Sequence, residues 1–325
     1  MTQGSTAKRG LKMMTESPEI AFIIPCYNEQ SSVARVVLQA KALFPDARVY
    51  VCDNNSTDNT SKVASEAGAI VYFERRKGKG NAVKRLLRDV DADIFIMVDG
   101  DDTYDMQYVP DAVDQLIHES FDLLTGDRMA SVHAQSSFRM GHEIGNQLFT
   151  RLFRVIFGIK TRDVFSGLRV FSRRLVKSFP IVSSEFEIET ELTIYAARMG
   201  LPVDDFPTSV KDRHESESKL KTFEDGSKIL VFALRLLHRE YPLRLYFAFS
   251  SLSFVLGMAN LSNVYLEYLR TGMVLRQPTL VMAIFLISMS ILLLIGGLIL
   301  KEVSNLKYEG RYLAYLDQSS SRDSS

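Results

Sequence analysis

Tryptophan is absent from the 325 residues, and cysteine occurs only twice. The first absence excludes any motif that needs an indole; the second excludes a scaffold stapled by disulfides. Cys26 and Cys52 fall at the ends of strand-like runs in a part of the chain expected to face the cytosol, so free, packed thiols are expected. Net charge is missing as well, because 39 basic residues balance 39 acidic ones. Nothing global therefore argues for nucleic acid as a partner. Histidine is scarce, and His142 has no partner at metal-ligand spacing, which argues against zinc. No internal repeat and no cleavable signal sequence is visible, and residues 1–18 are polar and aperiodic, as in a mobile leader.

What is present is unevenly distributed. Charged residues concentrate before Arg244, whereas Pro278 to Leu300 holds none and is long enough to cross a hydrocarbon core of ~30 Å. Leu245 to Leu266 is also uncharged, though Ser250, Asn260 and Asn263 make it less apolar. Two buried core helices would read similarly, but soluble core helices seldom run uncharged beyond ~18 residues. A membrane hairpin, about 245–266 and 278–300, is expected. Lys228, Arg235, Arg239 and Arg244 precede it, and Lys301, Lys307 and Arg311 follow it. The positive-inside rule then places both flanks in the cytoplasm, making this an integral protein of the cytoplasmic membrane. Residues 224–243 mix apolar and basic positions as an interfacial helix does. Gly296-Gly297 would permit close helix approach and so a homo-oligomer.

From Ile20 onward strand-like and helical runs alternate: strands Ala21–Pro25, Arg48–Asp53, Ala69–Phe73 and Ile94–Asp99, with helices Ser31–Ala42, Thr60–Ala67 and Lys79–Val90 between them. This βαβ order predicts an α/β domain with a mainly parallel sheet over residues 19–223. The later pattern is less regular: helix Asp111–Ser120, strand Phe121–Thr125, an amphipathic stretch Gly141–Phe157, strand Leu168–Phe171, helix Glu187–Met199, and strands near Val203–Phe206 and Ser209–Lys211.

The chemistry sits at strand ends. Asp99-Gly100-Asp101-Asp102 directly follows an apolar run, which puts hard oxygen ligands for Mg²⁺ or Mn²⁺ where open α/β sheets bind ligands. Alternate side chains of an extended segment share a side, so Asp99 and Asp101 are the metal candidates, with Asp102 and Asp105 in reserve. A solvated acidic turn would look the same in isolation. The first strand ends Pro25-Cys26-Tyr27-Asn28-Glu29, where Tyr27 can stack on a base and Glu29 can accept ribose hydroxyls. The second ends Asp53-Asn54-Asn55-Ser56-Thr57-Asp58, where Asp53 can accept from a base N–H.

These motifs, followed by Lys77-Gly78-Lys79-Gly80-Asn81-Ala82 and Asp99-Gly100-Asp101, occur in an order and spacing over about 80 residues that resembles the donor half of glycosyltransferase family 2 enzymes of the GT-A fold. Downstream, Asp163 to Arg169, Phe186-Glu187-Ile188-Glu189 and Arg213 to Leu220 are similar to the acceptor half of polyprenyl-phosphate glycosyltransferases, the dolichyl-phosphate mannose synthase-like group. The resemblance covers about Ile20 to Arg239. It implies a nucleotide sugar as donor, a UDP-sugar favoured over a GDP-sugar, with Pro25, Tyr27, Glu29, Asp53, Asn55, Lys77, Gly80, Asp99, Gly100 and Asp101 around it. Thr103 stands where family members often carry Gln, which leaves the remaining metal ligand open.

The implied acceptor, a polyprenyl phosphate such as undecaprenyl phosphate, is already anionic. It needs cations to position it rather than a strong base. Arg128, Arg139, Arg169, Arg213 and Lys219, with Ser166 and Ser218, are the candidates, Arg213 and Lys219 having the most direct part in catalysis. Glu187 and Glu189 are expected to cap a helix or orient an arginine. Two alternatives remain open. A polysaccharide-elongating enzyme would carry a Gln-x-x-Arg-Trp motif, which the missing tryptophan disfavours; a catalytically silent, nucleotide-sugar-binding membrane scaffold would not need both Asp99 and Asp101.

Overall fold

The computed structural model describes residues 17–128, 150, 151, 153–183, 187–210 and 222–320. Alternation of apolar side chains builds the central strand β1 (Ile20–Cys26): Ala21 and Ile23 enter one core layer, Phe22 and Ile24 the other. A strand buried on both faces is what a parallel sheet covered by helices requires. β2 (Arg48–Asp53) and β4 (Ile94–Met97) flank it in parallel, and β3 (Ile70–Phe73) lies outside β2. Helix α1 (Val33–Leu43) buries Val33, Val36, Val37 and Ala40, one stripe at helical spacing. After α2 (Thr60–Glu66), helix α3 (Lys79–Asp89) packs Val83, Leu86 and Leu87 into the opposite layer. The chain thus leaves β1 in one direction and returns on its other side at β4. That reversal opens a crevice at the C-terminal strand ends.

Among the described residues the sheet has seven strands in the order β3-β2-β1-β4-β6-β5-β7. α4 (Val109–His118) leads to β5 (Leu123–Asp127), β6 (Arg169–Ser172) runs antiparallel between β4 and β5, and β7 (Val203–Pro207) is parallel to β5. Between β6 and β7 lie α5 (Arg173–Ser178), a short helix that the sequence pattern does not announce, and α6 (Ile188–Met199). The expected strand at Ser209–Lys211 reduces to a single bridge between Val210 and Tyr104, and Lys211 lies outside the described residues. The amphipathic stretch from Gly141 is described only at its end, where residues 153–157 are helical.

Asp205 on β7 is an instructive defect. One carboxylate oxygen accepts from the Arg162 N–H at 2.7 Å; the other is buried with no partner among the described residues. Burial, opposed by that N–H and reinforced by Asp127 and Asp204, pushes its carboxyl up from 3.8 to about 6. Between those two values the folded chain holds a proton that the unfolded chain releases. Stability therefore falls as pH rises through that window and stays lowered above it. Asp205→Asn keeps an acceptor for Arg162 and is expected to raise neutral-pH stability by about 1–3 kcal/mol and to flatten the dependence, as read from unfolding curves across the window.

Beyond the sheet, α7 (Thr222–Glu240) ends where Pro242, which has no N–H to continue it, opens α8 (Pro242–Thr271). α8 and α9 (Gln277–Ser320) are each long and apolar enough to cross a membrane. Their outward Phe247, Leu252, Phe285 and Leu292 are exposed. The two helices lock together through Ser250 Oγ, which donates to the Ser290 carbonyl at 2.8 Å, and through Ser253 Oγ on the Leu286 carbonyl at 2.8 Å. Gly297 is used inside this hairpin: a Cβ there would sit 2.7 Å from Tyr246 Cβ, while Gly296 faces open space. Gly297 thus serves the α8–α9 contact within one chain.

The second apolar helix also outruns its composition. The expected span stops at Leu300, yet the helix continues to Ser320 and returns to the globular domain. Tyr315 donates to the fully buried Asp122 at 2.7 Å, which also accepts from Ser172 Oγ at 2.5 Å and from Arg174 Nε at 3.2 Å. Arg311 reaches Glu240 at 3.2 Å. The segment that follows the expected span is a helical strut.

Candidate functional site

The register that pairs Cys26 with Asp53 brings the loops after β1 and β2 side by side. They interlock. Asn28 N–H donates to Ser56 Oγ at 3.0 Å, Thr57 N–H to Asn28 Oδ1 at 2.8 Å, and Glu29 N–H to Thr60 Oγ1 at 2.9 Å. Asn28 and Asn55 both adopt left-handed backbone, φ 56 and 62, which asparagine tolerates better than most residues. Asn54, which sequence reasoning passed over, ties the third loop on: its Oδ1 accepts from Gly78 N–H at 2.6 Å and its Nδ2 donates to the Arg76 carbonyl at 2.6 Å.

Within this frame several expected donor residues come together. Lys77 Nζ lies 5.0 Å over the Tyr27 ring and donates to its hydroxyl at 3.1 Å. Asn55 donates to the Arg75 carbonyl at 3.4 Å. Pro25 closes β1, and Gly80 is buried in the first turn of α3. Asp53 is buried, with Oδ1 accepting from Ser56 N–H at 2.8 Å and Oδ2 from Ser61 Oγ. It shapes the loop as much as it faces the crevice. Gly100 has no room for a side chain, since a Cβ would fall on Cys26 Sγ, and its carbonyl accepts from Ser32 Oγ at 2.7 Å. Glu29 accepts from the same hydroxyl at 3.1 Å. Burial, then the nearby Glu29 and Asp99 carboxylates, raise the Cys26 thiol well above its ordinary value, so it stays a neutral packing group.

Asp99 and Asp101 stand at the end of β4. Asp101 Oδ1 accepts from Thr103 N–H at 3.2 Å and Thr103 Oγ1 at 2.6 Å, and Asp102 is drawn aside by Arg35 at 2.8 Å. Asp99 Oδ1 meets the buried ammonium of Lys79, which also meets Glu189. Burial alone would favour neutral lysine, but the two carboxylates outweigh it and hold Lys79 charged, above its usual range. Burial pushes Glu189 upward, and Lys79 opposes that. A lysine in the first turn of α3 opposes the helix dipole, while Glu189 in the first turn of α6 complies with it; pairing the two satisfies both helices. Glu189 therefore stands in the first turn of its helix as expected and pairs directly with a lysine, and Lys79 is the site residue that sequence reasoning missed. The Lys-Gly-Lys-Gly motif held it, but nothing in one dimension separates the exposed Lys77 from the enclosed Lys79.

The Asp163–Arg169 segment backs the carboxylates. A Cβ on Gly167 would fall on Asp99 Oδ2 and lie 2.9 Å from its Cγ, and Gly167 N–H donates to Tyr104 OH at 2.7 Å. Gly167→Ala is therefore expected to displace Asp99 and cut turnover at least about tenfold, with a smaller effect on thermal stability, as steady-state rates beside unfolding curves would show. Three expected acceptor residues make structural contacts here. Arg128 forms a two-pronged pair with Asp163 at 2.5 and 2.8 Å. Arg169 is wholly buried and donates to the Ser166 and Val164 carbonyls and to Thr193 Oγ1 at 2.8–2.9 Å. Ser166 is buried beneath it. All three brace the crevice wall, and Arg169, enclosed by its carbonyl and hydroxyl partners, cannot reach a ligand in the crevice. Arg139, Arg213, Ser218 and Lys219 lie outside the described residues.

Among the described residues no three His, Cys, Asp or Glu side chains are grouped to hold a metal by themselves. The donor set still fits Mg²⁺ or Mn²⁺ brought with a diphosphate: two hard carboxylates at one strand end leave the other positions to phosphate oxygens and water.

A mostly parallel sheet with interlocked strand-end loops and paired carboxylates at the switch point defines a GT-A-like nucleotide-sugar enzyme. Residues 21–179 match the model for Glycosyl transferase family 2. The glycosyltransferase AglJ of Haloferax volcanii is 32% identical over 240 residues, covering 72% of this chain and 76% of that relative. A dolichyl-phosphate hexose transferase of the same organism is 28% identical over 211 residues, 65% of this chain and 90% of the relative. Among solved structures, glucosyl-3-phosphoglycerate synthase from Mycobacterium tuberculosis in complex with Mn²⁺ and uridine-diphosphate-glucose shares the fold at TM-score 0.53 and 20% identity, over 68% of this chain and 78% of that one. The chain belongs to glycosyl transferase family 2 and is a glycosyltransferase.

Proposed function

We propose that this enzyme moves a sugar, with inversion, from a nucleoside diphosphate sugar to the phosphate of a polyprenyl phosphate at the cytoplasmic face of the membrane, making a lipid-linked sugar for envelope glycans or glycoproteins. A UDP-sugar is the favoured donor. The observation that supports this most is a shared apolar cluster: Phe153, Phe157 and Val164 from the crevice wall pack with Ala233 and Leu236 of α7, the helix that runs into the apolar hairpin. The wall behind Asp99 is thereby built on the same element that leads to the bilayer, where a lipid phosphate resides. The relative named for transfer to dolichyl phosphate has the same kind of acceptor.

In this reading an acceptor phosphate oxygen attacks the anomeric carbon, the bond from that carbon to the diphosphate breaks, and the nucleoside diphosphate leaves with the electron pair. The nucleophile is already ionised, so no residue must take its proton. Tyr27, Glu29 and Asp53 receive the nucleoside, and Lys77 attracts the diphosphate. Asp99 and Asp101 would hold Mg²⁺ or Mn²⁺, which supplies Lewis-acid neutralisation of the leaving group. Lys79 and Gly167 fix Asp99 in place. Arg213 and Lys219 are proposed to hold the acceptor phosphate.

The test is direct. Detergent-purified full-length protein is incubated with undecaprenyl phosphate, Mg²⁺ or Mn²⁺ and a panel of UDP- and GDP-sugars, and glycosylated lipid is sought by mass spectrometry. A cation-dependent product from one donor supports the reading. Folded protein that hydrolyses or transfers from a donor without ever using the lipid would overturn the acceptor assignment.

A further inference from the structure

Where the apolar hairpin meets the globular domain lies an open cavity, a cleft of about 380 Å³. Arg198 at the end of α6, Glu240, Tyr241 and Arg244 at the α7–α8 joint, and Lys301 and Tyr308 on α9 line it. Arg244 immediately precedes the uncharged run that begins at Leu245, and Lys301 immediately follows the one that ends at Leu300. In a membrane-inserted chain these positions lie at headgroup depth, where cationic and tyrosine side chains concentrate.

The charge balance of the cavity is lopsided. Its carboxylate, Glu240, is shared by Arg239 at 2.8 Å, Arg311 at 3.2 Å and Arg198 at 3.4 Å. Arg239 also pairs with Glu191 at 2.6 Å, so three guanidiniums face two carboxylates. Arg244 donates to the Ile156 carbonyl at 2.5 Å and stacks 4.6 Å over the Tyr241 ring, and neither contact neutralises it. Lys301 lies 3.9 Å from the exposed Glu302, a separation at which solvent screens most of the attraction. Pro242, Leu243, Tyr241 and Tyr308 give the wall an apolar and aromatic side, Ser304 and Asn305 add neutral polar groups, and Arg198 stacks against both Tyr241 and Tyr308 at 5.0 and 5.8 Å. Surplus positive charge, an amphipathic wall and a mouth at the bilayer surface together suit a phosphate carried on acyl chains.

We propose that this cavity binds the phosphate headgroup of an anionic bilayer lipid, as a site separate from the catalytic crevice, with the acyl chains along the exposed flanks of α8 and α9. The inference rests on the membrane reading above. The two sites occupy opposite ends of α6: Glu189 faces Lys79 at its start and Arg198 lines the cavity at its end, about 14 Å apart at 1.5 Å per residue. A phosphate held in the cavity is therefore too far from Asp99 to be the attacking group.

Full-length protein in neutral detergent is heated alone, with dioleoyl phosphatidylglycerol, with dioleoyl phosphatidylcholine, and with inorganic phosphate. Phosphatidylglycerol is expected to raise the midpoint by about 3–5 °C, with no rise from the other two. The variant Arg244→Gln/Lys301→Gln should lose most of that rise, measured from its own unliganded midpoint. Equal rises with both lipids, or an undiminished rise in the variant, would overturn the site. A rise with inorganic phosphate alone would overturn the lipid as its ligand. One-for-one displacement of bound phosphatidylglycerol by undecaprenyl phosphate in native mass spectrometry would make this the acceptor's own site and overturn the separation. Release of the chain from membranes by alkaline carbonate would overturn the membrane reading and this inference together; retention there without a phosphatidylglycerol effect would overturn this inference alone.

Discussion

Asp101→Ala is expected to lower sugar transfer by at least about a hundredfold, since about 3 kcal/mol of leaving-group stabilisation is lost when one of two carboxylates holding the metal is removed. The fold should persist. Asp101 is partly exposed, and its contacts with Thr103 are local, so the stability cost is about 1–2 kcal/mol. A turnover assay across a Mn²⁺ titration, run beside a thermal unfolding curve, checks both halves. Near-wild-type transfer from a folded Asp101→Ala protein would remove this residue from the metal site.

Lys79→Met is the second change with a large expected effect, and it acts first on stability. The ammonium sits between Asp99 and Glu189 with little access to water. Its removal leaves two carboxylates facing each other without a counter-charge, a kind of loss that costs about 3–5 kcal/mol. Glu189, already raised by burial, would then take up a proton more readily in the folded than in the unfolded chain. The variant should accordingly gain stability as pH falls through the carboxylate range and lose it as pH rises. Glu189→Gln added to Lys79→Met should recover a good part of the loss without restoring turnover, because Asp99 would still lack the group that fixes it. A double-mutant cycle in denaturant, with rates measured in parallel, separates the two roles. Additive effects would mean that the pair does not couple.

These two residues mark a boundary in what the chain discloses. Asp101 was legible: clustered carboxylates after an apolar run announce a strand end, and strand ends of parallel sheets are where such enzymes work. Lys79 was not legible, because its importance depends on Glu189, which arrives from a helix more than a hundred residues later. Packing over shorter separations also decided what Arg128 and Arg169 hold. A cation at a strand end resembles a ligand group until packing shows that Asp163, or two carbonyls and a threonine hydroxyl, already hold it.

The sequence by itself determined the alternating α/β order, the register of polar loops at the ends of β1, β2 and β4, and the two apolar runs, because each follows from local periodicity and backbone preference. Tertiary structure decided which charges meet. It enclosed Lys79 between two acids, set Gly167 against Asp99, turned Arg169 inward, spent Gly297 within the hairpin and brought the end of α9 onto Asp122. Those outcomes depend on distances between segments far apart in the chain. Electrostatic and packing energies at such contacts vary steeply with separation and burial, and neither quantity is written in one dimension.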